Sequence, residues 1–187
     1  MSRLIYIGIV LLIFIGLVEF NPLRLRKASL SKKLDNISRL ILPASFFLLV
    51  SMSFIDNQFS IYTFNASNSI TFELIGIALL SIGLLVRSKA MHDLGKDFNY
   101  AISPPKEKLC KRGVYKFVRH PAYLGSFLYS TGIPIIFLSK LGIYVAIFVF
   151  VVIIYRINFE ERILERAFGK KYVQYKRQTY KLIPLLY

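Results

Sequence analysis

Five apolar runs, each 15 to 17 residues long and separated by strongly polar or basic segments, constrain this chain more than any other feature of its sequence. They lie at about Leu4 to Phe20, Leu40 to Phe54, Ile70 to Val86, Tyr123 to Leu138 and Ile143 to Ile157. A helix needs ~20 apolar residues to cross a bilayer, so each run approaches a span once its flanking residues are allowed to snorkel. With no water in the hydrocarbon region to satisfy backbone N–H and C=O groups, such runs must be helical. The expectation is an all-α integral membrane protein of about five transmembrane helices. Composition agrees: charged residues make up only 19% of the 187, against about 25% in soluble domains, and the mean hydropathy is +0.53.

The intervening segments assign sides. Residues 21–39 carry Arg24, Arg26, Lys27, Lys32, Lys33 and Arg39 against Asp35, and residues 87–119 carry nine basic residues against three acidic ones. Ile55 to Ser69, by contrast, holds Asp56 as its single charge. By the positive-inside rule the first two segments are cytoplasmic and the third faces outward, which leaves the amino terminus outside and the carboxy terminus inside. The first run lacks a small-residue cleavage site and is expected to be retained rather than removed as a signal peptide. A net charge of +15 raises nucleic acid as a partner, but the basic residues sit beside apolar spans, where anionic membrane lipid is the natural partner; no nucleic acid is expected. One cysteine and two histidines are too few for a disulfide framework or a Cys/His zinc site, so no metal is expected.

The chain divides into residues 1–90, with three membrane helices, and residues 91–187, with a long inner loop, a helical hairpin and a carboxy-terminal cytoplasmic helix. Loops as long as the one over residues 87–119 are usually functional. Within it and just beyond, Lys111 to Gly125 reads KRGVYKFVRHPAYLG. Gly113 marks a turn, Pro121 takes a first-turn position where its missing N–H costs nothing, and Arg119 and His120 stand at the foot of an apolar run. Interface anchoring by Arg119 is the bland alternative to a binding role. A second polar cluster, Arg156, Glu160 and Glu161, leaves the fifth run. Spacing of four puts Arg156 and Glu160 on one helical face, where a simple intrahelical ion pair competes with a functional role. In the third run Gly76 and Gly83, seven apart, permit close approach to a neighbouring helix.

Taken together, Gly113-Val114-Tyr115, Arg119-His120-Pro121-Ala122-Tyr123-Leu124-Gly125, Glu160-Glu161, Phe168-Gly169, Tyr172, Tyr175 and Pro184 resemble the isoprenylcysteine carboxyl methyltransferase family, part of a wider group that includes the phospholipid N-methyltransferases. The resemblance covers about Leu94 to Tyr187. It implies a membrane methyltransferase that uses S-adenosylmethionine without a Rossmann domain, and no G-x-G-x-x-G occurs here. By motif position it implies that Tyr115, His120, Pro121, Ala122 and Tyr123 line the cofactor site, that Glu160 contacts the cofactor, and that Arg156 faces and positions the methyl acceptor. The family's His-x-Leu-Val element aligns with Glu107-Lys108-Leu109-Cys110, of which the leucine alone is kept; these four and Tyr100 complete the implied cofactor set.

The implied acceptor is a lipophilic small molecule or lipidated substrate, with a prenylcysteine carboxylate the leading candidate. A carboxylate is already nucleophilic and can be held by Arg156, whereas an amine needs a proton removed, for which His120 is the nearest titratable group. Phospholipid, lipid-amine or thiol methylation is the alternative within the group. A sterol-type reductase using NADPH, whose carboxy-terminal pattern is similar, and a non-enzymatic lipid-binding protein are alternatives outside it.

Overall fold

A computed structural model of the chain describes residues 33–64, 69–95 and 109–183. In chain order the described elements are α1 (Lys33–Phe59), α2 (Ser69–Leu94), a single 3-10 turn (Gly113–Lys116), α3 (Pro121–Ile136), α4 (Lys140–Phe168) and α5 (Lys170–Arg177). Among the described residues β-pairing is confined to two isolated bridges, Thr63 with Ser139 and Val118 with Tyr180. Three of the helices hold stretches long and apolar enough to cross a membrane: Ile41–Phe59, Ser69–Leu94 and Lys140–Phe168. At 16 residues, α3 reaches about 24 Å, short of the ~30 Å hydrocarbon thickness. The Leu4 to Phe20 run lies outside the described residues.

The helices pair α2 with α3, α3 with α4 and α1 with α4. Between segments that both lie in lipid, apolar burial supplies little drive for association, and close backbone contact takes its place. The α2–α3 pair shows this directly. Gly83 and Gly125 face each other so closely that a Cβ on Gly125 would stand 2.5 Å from the Gly83 carbonyl oxygen. Seven residues along each helix the contact repeats in antiparallel sense, a Cβ on Gly132 falling 2.6 Å from the Gly76 carbonyl. The packing role expected of Gly76 and Gly83 is the one observed. Around this seam Leu49, Leu80, Leu84, Tyr129, Ile133, Ile136 and Phe137 form one buried cluster, and Val149, Ile153, Ile157 and Leu182 form a second that ties the carboxy-terminal tail to α4.

Helix ends differ from the expected ones, each for an identifiable reason. The run expected to stop at Phe54 continues to Phe59 because Asp56, which looks like a loop residue, is fully buried. Its carboxylate accepts from Ser139 Oγ (2.6 Å), the Tyr62 amide (2.6 Å) and the Leu141 amide (3.2 Å), so it clasps the turn between α3 and α4. That turn is Phe137 to Ser139 rather than Ser139 to Gly142: Ser139 caps α4 by accepting from the Gly142 amide at 2.8 Å. At the opposite end of the bundle, the first eight residues of the expected inner loop, Arg87 to Leu94, extend α2. Their hydropathy hides the fact, but Arg87, Ala90, Met91 and Asp93 are all buried. Likewise α4 passes unbroken from its apolar half through Arg156, Glu160 and Glu161 and ends at Gly169, whose φ of 52° suits a residue without a Cβ.

Candidate active site

The polar residues singled out in the sequence gather where α2 ends, α3 begins, and α4 runs on into α5. The 3-10 turn is seated first. The Asp93 carboxylate, on the last turn of α2, accepts the Val114 amide at 3.0 Å, while its main-chain carbonyl accepts Arg112 Nε at 2.9 Å. Gly113 has φ of 55°, and a Cβ there would overlap the Asp93 carboxylate at 1.9 Å, so a glycine is required on both counts. The turn thereby presents Tyr115, which is buried and whose carbonyl accepts the Tyr175 hydroxyl at 2.6 Å. The carboxy-terminal tail is stitched alongside: the Arg119 amide donates to Tyr180 O at 2.8 Å and the Tyr180 amide to Phe117 O at 3.0 Å.

Glu161 is the knot that joins these pieces. Its Oε1 accepts Arg119 Nε at 2.9 Å and stands 3.3 Å from His120 Nε2, while its Oε2 is 3.7 Å from Lys176 Nζ and 3.9 Å from Lys181 Nζ. Arg119 extends the network by donating Nη1 to the carbonyls of Lys176 (3.1 Å) and Thr179. Arg119 is therefore not a lipid anchor at the interface; it holds the tail to the bundle. His120, 3% exposed, begins α3 with Pro121 as the first helical residue. The Ala122 carbonyl that follows accepts Arg87 Nη1 at 3.0 Å, and the same nitrogen reaches Ser126 Oγ at 2.9 Å.

Glu160, one residue before this knot, lies about 100° round the helix from it and takes no part. Among the described residues it has no ion-pair partner. Arg156, one turn earlier and 4% exposed, donates Nε to the Tyr123 hydroxyl at 3.2 Å, and the same hydroxyl interacts with Glu160. Spacing of four does place Arg156 and Glu160 on one face, but Tyr123 of α3 mediates between them and no direct ion pair forms. The field of Glu160 also reaches Tyr115 and Tyr172. Burial pushes the phenols of Tyr115, Tyr172 and Tyr175 up, so all three are neutral hydrogen-bond donors at any physiological pH.

Seven of the sequence-derived candidates, Tyr115, His120, Pro121, Ala122, Tyr123, Arg156 and Glu160, thus share one end of the bundle. Leu109 and Cys110 are half-buried nearby, with Cys110 Sγ 3.9 Å from Asp93 O. Tyr100, Glu107 and Lys108 lie outside the described residues. Three residues absent from the candidate set prove central: Arg87, Asp93 and Glu161. Their signal in the sequence was continued helical burial beyond Val86 and the second acid of a Glu-Glu pair, neither of which stands out without knowing what packs against it.

Comparison with known proteins supplies the family. Residues 72–171 match the family model described as phospholipid methyltransferase. The protein-S-isoprenylcysteine O-methyltransferase of Saccharomyces cerevisiae is 30% identical over 176 residues, an alignment covering 90% of this chain and 72% of the yeast protein. This chain belongs to the isoprenylcysteine O-methyltransferase family. The family member of the same name from Dictyostelium discoideum is 30% identical over 145 residues, 74% of this chain and 60% of that one. A solved eukaryotic intramembrane Ras methyltransferase, an isoprenylcysteine carboxyl methyltransferase, superimposes with a TM-score of 0.61 at 26% identity, covering 76% of this chain and 52% of the solved one. The chain therefore spans roughly half to three quarters of the length of these family members. The family model begins within α2 and ends just inside α5, so it takes in the α2–α3 seam, the 3-10 turn and the Arg156–Glu161 segment.

Proposed function

We propose that this chain is an integral membrane methyltransferase that uses S-adenosylmethionine and acts on a lipophilic acceptor, most closely in the manner of a protein-S-isoprenylcysteine carboxyl O-methyltransferase. The observation that carries the proposal is the half-buried Glu160 carboxylate, which has no ion-pair partner among the described residues, beside a knot in which its neighbour Glu161 faces four cationic or ionisable groups. A carboxylate kept unpaired in a partly desolvated place is costly unless a ligand brings the missing charge. The ammonium of a methionine moiety supplies that charge, and the faces of Tyr115 and Tyr123 suit a positive sulfur. Bound S-adenosylmethionine provides an electrophilic methyl group on sulfonium sulfur, open to in-line displacement without a covalent enzyme intermediate.

The protein's part in such a reaction is positioning. Arg156 is buried, always charged, and oriented by the Tyr123 hydroxyl, which suits it to hold an acceptor carboxylate by charge-assisted hydrogen bonds. His120 has one ring nitrogen turned to Glu161, which favours an orienting role at the start of α3 over one as a base for an amine acceptor. This supports the carboxylate reading over lipid-amine methylation. Leu109, Cys110, Tyr115 and His120 to Tyr123 remain the proposed lining of the cofactor site, with Tyr100, Glu107 and Lys108 assigned to it on the resemblance. The five-span arrangement, with the amino terminus outside and this site cytoplasmic, and the division into residues 1–90 and 91–187 belong to the same proposal, supported by the distribution of Lys and Arg.

Two substitutions test the division of roles. Glu160→Gln is expected to weaken S-adenosylhomocysteine binding by ~2 to 5 kcal/mol, the range for truncating one partner of a buried charge pair. Arg156→Ala is expected to keep that affinity within about threefold and lose most turnover on a prenylcysteine acceptor, because an unheld acceptor forfeits its alignment. Calorimetry and tritiated methyl transfer measure the two effects; equal, small effects of both substitutions refute the assignment.

A further inference from the structure

One polar group at this end of the bundle takes no part in its hydrogen-bond network. Tyr172, on the first turn of α5, has no exposed surface and is the largest fully buried side chain among the described residues. Its ring packs beside Tyr175 at 6.0 Å, but its hydroxyl has no hydrogen-bond partner among the described residues. The contrast with Tyr175 is informative: three residues further along the same helix, that hydroxyl is satisfied by Tyr115 O at 2.6 Å. A buried phenol without a partner is destabilising, and a phenylalanine would fill the same space at no such cost. The charges that act on Tyr172 include those of Glu161, Glu160 and Arg119, and Lys176 Nζ stands 6.0 Å from its ring centroid. Arg119 is bound to Glu161 at 2.9 Å and Lys176 lies beside Glu161 and Glu165, whereas Glu160 has no ion-pair partner among the described residues.

We propose that the Tyr172 hydroxyl is a binding residue for the methyl donor, donating to the α-carboxylate of the same methionine moiety whose ammonium Glu160 receives. The inference rests on the methyltransferase reading and adds to it the residue that recognises the second charged group of the donor. An α-amino acid carries its ammonium and its carboxylate on one carbon, so a site that takes up the first with an unpaired Glu must offer a donor to the second close by. A neutral phenol is suited to that place. A further cation beside Glu160 would pair with it and close the site, while a hydroxyl supplies a donor that leaves Glu160 available. The placement on α5 also accounts for the amount of structure spent on holding that helix: Arg119 binds the carbonyls of Lys176 in its last turn and of Thr179 just beyond it, and the Glu161 knot fixes Lys176.

The test is Tyr172→Phe in the full chain in detergent, titrated by calorimetry with S-adenosylhomocysteine and with its decarboxylated analogue. Affinity for S-adenosylhomocysteine is expected to fall on the order of ten- to a hundredfold, the worth of one hydrogen bond to a charged group. Affinity for the decarboxylated analogue is expected to be the same in the variant as in the wild type, and the thermal midpoint of the ligand-free variant to be unchanged or raised, since only an unsatisfied hydroxyl is lost. Equal affinity of variant and wild type for S-adenosylhomocysteine overturns the proposal, as does an equal loss for both ligands, which makes the hydroxyl a support for Glu160 or the fold. A lower midpoint of the ligand-free variant counts against it in the same way. If the wild-type chain itself binds no S-adenosylhomocysteine, the methyltransferase reading fails instead.

Discussion

Replacing Gly125 with alanine adds one methyl group at the narrowest point between α2 and α3. The new Cβ would sit 2.5 Å from the Gly83 carbonyl oxygen, 2.7 Å from Arg87 Cβ and 2.8 Å from the Arg87 amide nitrogen, where ordinary contact begins at 3.4 Å. The obstacles are main-chain atoms and a Cβ, none of which can turn away by changing rotamer, so the helices must separate locally by most of the shortfall. Overpacking of a tight interior costs about 1 to 3 kcal/mol, and with backbone on both sides the upper end applies. At ~2 to 4 °C per kcal/mol for a chain of this size, the melting midpoint in detergent is expected to drop by about 5 °C or more. The displaced residue is Arg87, which holds the Ala122 carbonyl at 3.0 Å, so S-adenosylhomocysteine binding is expected to weaken as well. Gly132→Ala is the matched control. It meets the Gly76 carbonyl at 2.6 Å and the Leu80 amide at 2.9 Å, an equal clash two turns further from the candidate site. Its melting midpoint should fall comparably while its affinity for S-adenosylhomocysteine stays within about twofold. A Gly125→Ala chain as stable as the wild type, or equal binding defects in the two variants, refutes the reasoning that this seam both holds the bundle and positions the start of α3.

Two further outcomes are expected. Glu161→Gln leaves Arg119, His120, Lys176 and Lys181 facing a neutral group, and removal of one member of a buried charge network costs ~3 to 5 kcal/mol, so thermal unfolding should occur well below that of the wild type and the carboxy-terminal tail should become open to proteolysis; a midpoint within 2 °C, below the ~4 °C that even a small part of that cost produces, contradicts the role assigned to the knot. For topology, single cysteines in place of Ser60 and Ser103, in a chain whose Cys110 is replaced, should react with an impermeant maleimide from opposite sides of sealed vesicles, and labelling from one side overturns the five-span arrangement.

The distribution of apolar runs and basic segments determined, with no structure in hand, that this is a helical membrane protein, because a backbone in lipid has few ways to satisfy its own hydrogen bonds. Short-range spacing was equally legible: Gly76 and Gly83 marked a close helix contact, Pro121 a helix start, and Arg156 with Glu160 a shared face. The motif residues from Gly113 to Tyr175 carried the resemblance to the family and brought most of the candidate site with it. What the tertiary structure alone decided is which charges are tied into the scaffold. Glu160 and Glu161 are adjacent and chemically identical, yet the 100° between them on α4 turns one into a knot for Arg119, His120 and two lysines and leaves the other with no ion-pair partner among the described residues. Asp56 and Asp93 read as loop residues until the donors that reach them across 83 and 21 positions of sequence are seen. Burial of a polar side chain depends on partners far along the chain, and a local pattern carries no record of them.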